Sequence, residues 1–245
     1  MTNITLEVCA FSFEGCQNAR LGGGNRIELC ANPAEGGTTP SYGLIKKVRE
    51  EIDLKLYPLI RPRGGEFYYS NDEFEIMLHD IKQCKQLGCD GIATGVQRID
   101  GNIDFARMRR IVDLAYPMRV TCIRAFDLVP DMFAALDGLI DAGCERVLTS
   151  GQAEKAYEAA ETIAQLVTYA GDRIIIMPGS GIRPDNIEML VKTTRATEYH
   201  ASARIFSPAT VSQGHRLLKE FGQAFSCDAQ QLKEIRRRAE AAFLK

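Results

Sequence analysis

Short runs of Val, Ile and Leu recur along the chain, and between them apolar residues return every three or four positions. The runs fall at residues 4–10, 26–30, 54–61, 91–95, 118–123, 146–150, 173–178 and 197–200. Runs this short and this apolar predict strands covered on both faces, as in a parallel sheet. The intervening segments predict helices, and residues 71–87 carry the clearest one. Ser70 and Glu73 make a capping box at its start. Phe74, Met77, Leu78, Ile81 and Cys84 share one face, and Gly88 stands where the helix should end.

The returns from helix to strand resemble one another. Gly88-Cys89-Asp90-Gly91-Ile92 matches Gly143-Cys144-Glu145-Arg146-Val147, with further copies at Gly171-Asp172-Arg173-Ile174 and Gly24-Asn25-Arg26-Ile27. In each, a glycine closes a helix, a polar residue turns the chain and a strand begins. Eight such units with right-handed crossovers predict an α/β fold, a single TIM-type (β/α)8 barrel over residues 1–245. An open doubly wound sheet is the alternative. Residues 228–245 predict one more amphipathic helix, and its Arg236, Arg237 and Arg238 read as a solvated face.

Composition narrows the classes of function. A length of 245 residues is one that a single barrel fills. The net charge of −2 offers no basic excess for nucleic acid or an anionic membrane. No run reads as a signal peptide or a membrane span, and Glu7 interrupts the first apolar run, so a cytoplasmic location is expected. There the eight cysteines read as reduced thiols. None shows CxxC spacing, and most read as small buried hydrophobes.

In a barrel, chemistry gathers where strands end. Strands one, two and eight read Leu6-Glu7-Val8-Cys9, Ile27-Glu28-Leu29-Cys30 and Thr197-Glu198-Tyr199-His200. Alternation puts both members of each Glu-x-(Cys or His) pair on one face. Turned inward, they would stack a layer of three carboxylates below a layer of Cys9, Cys30 and His200. Buried carboxylates need counter-charges, and Arg61 or Arg124 is expected to supply one. A purely structural ion-pair network explains the glutamates equally well. Two thiols and an imidazole suit Cu(I) or Zn²⁺, whereas packing alone is the competing account of the thiols. Gly179 and Gly181 after strand seven, Ser202 after strand eight and Ser150 after strand six outline a phosphate-type loop set, unless the glycines serve only a tight turn. Arg61, Arg63 and Arg124 would hold the anion there, with Glu7, Glu28 or Asp127 as acid or base. His79 and His215 fall in helical segments and receive no role. No Walker loop, HExxH or GxSxG is present.

Five stretches resemble the motifs of the CutC family, in order. They are Glu7-Val8-Cys9, Arg26-Ile27-Glu28-Leu29-Cys30, Glu35-Gly36-Gly37-Thr38-Thr39-Pro40-Ser41, Ile60-Arg61-Pro62-Arg63-Gly64-Gly65 and Arg146-Val147-Leu148-Thr149-Ser150-Gly151. The resemblance runs from about Leu6 to Arg204. It implies a TIM-type barrel, a cytoplasmic location, a homodimer or larger homo-oligomer, and a role in copper homeostasis with Cu(I) on the cysteines matching Cys9 and Cys30. It brings no catalysed reaction. Ile123-Arg124-Ala125-Phe126-Asp127 departs from the family's usual His-Arg-Ala-Phe-Asp, so an imidazole is missing after strand five. The segment after Arg204 is short, which predicts an irregular last helix. Two functions stand side by side: Cu(I) handling at the barrel mouth, or an enzyme or binder for a small anionic or phosphorylated molecule.

Overall fold

A computed structural model describes residues 4–206 and 224–244. The eight apolar runs are parallel strands: β1 (Thr5–Ala10), β2 (Arg26–Leu29), β3 (Lys55–Pro58), β4 (Gly91–Thr94), β5 (Arg119–Cys122), β6 (Arg146–Thr149), β7 (Ile175–Pro178) and β8 (Glu198–Ala201). Helices return the chain between them: α1 (Phe13–Leu21), α2 (Tyr42–Glu51), α3 (Asn71–Gln86), α4 (Phe105–Ala115), α5 (Met132–Asp141), α6 (Ala160–Ala170) and α7 (Ile187–Thr194). The strands pair as β3-β2-β1-β8 and β4-β5-β6-β7. Single parallel bridges, Leu59 to Ala93 and Gly179 to His200, join the two halves into a ring. The architecture is the TIM-type barrel that the strand–helix repeat predicts.

Local chemistry sets the element ends. Ser70 and Glu73 form the predicted capping box of α3, and Ser41, Asp104 and Asp131 cap α2, α4 and α5 with side-chain oxygens. Gly88 and Gly143, the repeated punctuation, have φ of +73° and +84°, the left-handed turn a glycine makes at least cost. His79 is exposed on α3 near Glu75, and His215 lies outside the described residues.

The last unit differs from the expected one. An antiparallel ribbon, β9 (Arg204–Phe206) with β10 (Phe225–Cys227), stands between β8 and the final helix. That helix, α8 (Ala229–Phe243), is regular over 15 residues and is capped by Asp228. It buries Leu232, Ile235, Ala239 and Ala242 and packs against α1 and α7, so it closes the helical ring. The irregularity resides in the ribbon at the barrel mouth, because the amphipathic period of α8 is unbroken.

Candidate functional site

Alternation along β1, β2 and β8 turns Glu7, Cys9, Arg26, Glu28, Glu198 and His200 into the barrel, with Cys30 just past β2. Leu6, Val8, Ile27 and Leu29 take the other face. The register decides which inward groups meet. Glu7 stands opposite Arg26 and His200, and Cys9 stands opposite Glu28. The two Glu-x-Cys patterns are thus offset by two residues, the stagger that a closed barrel requires. The expected layer of three carboxylates is divided by it.

The deeper level is ionic. Arg26 bonds both Glu7 and Glu198, with Nη2 2.5 Å from Glu198 Oε2. Arg146 reaches Glu198 from across the barrel, Nε to Oε2 at 2.6 Å, and also pairs with Glu145 at 2.9 Å. The Tyr57 ring lies against both guanidiniums, 5.1 and 5.5 Å from its centroid, and its hydroxyl donates to Glu145. Burial, the largest influence, opposes ionisation of Glu7, but Arg26 and the His200 hydrogen bond outweigh it and hold the carboxyl at about 2.

The level above is soft and short of cations. Cys9 Sγ and Cys30 Sγ are 3.8 Å apart. Glu28 Oε2 is 3.5 Å from Cys30 Sγ and 3.8 Å from His200 Nε2, and no Arg or Lys pairs with Glu28 among the described residues. His200 Nδ1 donates to Glu7 Oε1 at 2.8 Å, which leaves Nε2 toward the thiols. The Cys30 hydrogen bond, the strongest influence on Cys9, brings that thiol down to about 5 against the cost of burial, and His200 adds to the effect. Burial and then the Cys9 charge push Glu28 well up, and burial with the Cys9 hydrogen bond does the same to Cys30. Burial works against His200 becoming charged, yet Glu28, Cys9 and Glu7 raise it well above its usual value. Within this cluster the surroundings favour ionisation of Cys9, beside an imidazole that they pull toward its charged form.

The other candidate residues divide by placement. Arg61 and Arg124, the expected partners of the glutamates, pair with none of them. Arg61 is buried and donates to the carbonyls of Glu35, Gly37 and Gly65 at 2.6–2.7 Å, so it braces its own loops. Arg63 pairs with Glu73 at 2.5 Å and with the carbonyl of Tyr68. Asp127 accepts from Thr149, Ser150 and Arg124, which leaves no oxygen free for a reacting group. Ser150 is buried among Asp127, Arg124 and Ala153. Gly179 packs against Leu148 and His200, where a Cβ would fall 2.4 Å from Leu148 Cδ1. Gly181, Ser202 and Arg124 do line a cavity of about 500 Å³ at the barrel mouth, together with Cys9 and His200. Ile123 places an apolar side chain against Gly95.

The CutC family model matches residues 4–205. The chain belongs to the CutC family. It is 49% identical over 199 residues to a CutC family protein of Chromobacterium violaceum, across 81% of each chain. It is 42% identical over 237 residues to one from Salmonella newport, across 97% of this chain and 93% of that one. The solved CutC of Streptococcus agalactiae, whose name assigns it provisionally to copper homeostasis, superposes with a TM-score of 0.76. Its identity is 32%, over 80% of this chain and 97% of that one. Phosphoribosylanthranilate isomerase from Pyrococcus furiosus has a TM-score of 0.58 at 12% identity, over 97% of this chain and 99% of that one, and shares only the fold.

Within this CutC barrel, several side chains of the site stand outside the Glu-x-(Cys or His) pattern. Arg26 and Arg146 open their strands and read as turn punctuation, yet Arg26, Glu28 and Cys30 share one parity, which is signal enough to turn Arg26 inward. Lys155, Arg183 and Arg204 line the mouth from three separate segments, and no local pattern marks them.

Proposed function

We propose that this CutC-family protein serves copper homeostasis in the cytoplasm by binding Cu(I) at Cys9 and Cys30. The observation that carries the reading is the thiol pair itself: two inward sulfurs 3.8 Å apart, one of them on the wall of the mouth cavity. Thiolates are the soft ligands that favour Cu(I). Two metal–sulfur bonds of about 2.3 Å span up to about 4.6 Å, so one ion fits the gap with a bend that admits a third donor. His200 is the chemically suited third donor. Its Nδ1 is tied to Glu7, the carboxylate–imidazole arrangement that orients a metal-binding nitrogen. The residues that gather most tightly with the thiols include Glu28, whose hard oxygen suits Cu(I) less well. Glu28 is better placed to take up or release the proton that a ligating thiol exchanges.

Competition titration against a Cu(I) chelator under reducing conditions tests this. The wild type is expected to hold one Cu(I), and the Cys9→Ser/Cys30→Ser variant to lose it while keeping its circular dichroism. Equal affinity in the two proteins would end the copper reading.

A further inference from the structure

We infer that the mouth cavity is also a binding site for a small organic phosphate, held by Arg124, Lys155, Arg183 and Arg204. This goes beyond the copper reading and does not depend on it. The four cations share the wall of one cavity of about 500 Å³, and no Asp or Glu is among its described lining residues. The whole chain has 32 acidic and 30 basic residues, so a wall of one sign is a local arrangement.

Three of these cations have no carboxylate partner among the described residues. Lys155 Nζ and the Arg183 guanidinium have no acceptor among the described residues. Arg204 makes one long hydrogen bond, to the Pro33 carbonyl at 3.4 Å. Arg124 is held in place by Asp127 and Ser150, with 41% of its side chain still exposed. Gly181 has a specific part in this: a Cβ there would fall 2.6 Å from Lys155 Cδ, so only glycine lets the lysine stem lie along the β7 loop. The amides of Gly181, Ile182 and Ser202 border the same space and have no acceptor among the described residues. Guanidinium, ammonium and free amides bordering one cavity make the donor set of a phosphoryl group.

The cavity is too large for the ion alone and is of a size that holds a small organic ligand. Phe11, Leu148, Phe206 and Phe225 supply apolar wall, and Cys9 and His200 lie at its floor. A phosphate monoester would place its charged end among the cations and its organic end over the thiol and imidazole.

Calorimetric titration with glycerol 3-phosphate, inorganic phosphate and glycerol tests the assignment. Lys155 and Arg183 are exposed, so the Lys155→Ala/Arg183→Ala variant keeps its fold. Saturable binding of the ester is expected in the wild type, weaker by about tenfold or more in that variant, with none for glycerol. The Cys9→Ser/Cys30→Ser variant is expected to retain it, so failure of the copper reading leaves this one standing. No saturable binding at about 10 mM ester, or equal binding by wild type and charge variant, would overturn the site. Inorganic phosphate binding as tightly as the ester would overturn the organic part of the assignment.

Discussion

Two neighbouring levels inside the barrel are built from the same strands and behave differently. The deeper one joins Arg26 and Arg146 to Glu7 and Glu198, so every charge has a partner within hydrogen-bonding distance. The upper one, two residues further along, holds Cys9, Cys30, Glu28 and His200, with no guanidinium paired to them among the described residues. In the deeper level, each charge is neutralised by a partner. In the upper level, Cys9 and His200 border the mouth cavity, and Glu28 has no cationic side chain paired with it among the described residues except His200. The contrast shows that inward placement alone does not fix a residue's electrostatic state. What matters is whether its charge is already satisfied.

Removing one partner should break this contrast most severely. Arg26→Met leaves Glu7 and Glu198 short of compensation inside the barrel and should cost about 3–5 kcal/mol of stability, measured by urea unfolding. A loss under about 1 kcal/mol would show that water reaches the deeper level.

A smaller effect should appear on acidification. Glu7 falls from 4.5 to about 2 in the folded state. A carboxyl lowered by folding adds stability above its unfolded pKa and loses it as pH falls toward the folded one. The window is therefore pH 4.5 down to about 2, worth about 3 kcal/mol. Glu7→Gln should flatten this part of the stability profile, and parallel profiles for the two proteins would refute the assignment.

The smallest expected effect sharpens the upper level. Cys9 is lowered to about 5, whereas burial pushes Cys16 and Cys227 up to about 12. Iodoacetamide at neutral pH should label Cys9 first, about tenfold faster than any other cysteine, as read by peptide mass mapping. Bound Cu(I) should suppress that labelling. Labelling spread evenly over the cysteines would remove the distinction between the levels.

Strand number, helix caps and inward parity are local properties, and the chain's own order of residues determined them. The capping box at Ser70 and Glu73, the glycine returns at Gly88 and Gly143, and the shared face of Glu7 with Cys9 and of Glu28 with Cys30 follow from periods of 3.6 and 2.0 that need no distant partner. Tertiary structure decided the rest. The barrel's stagger set Glu7 opposite Arg26 and Cys9 opposite Glu28, and ring closure brought Arg146 to Glu198. Loop folding claimed Arg61 for backbone carbonyls and gathered Lys155, Arg183 and Arg204 around one cavity. Those pairings depend on shear and closure, which act between segments far apart in the chain, and a local alternation pattern carries no record of them.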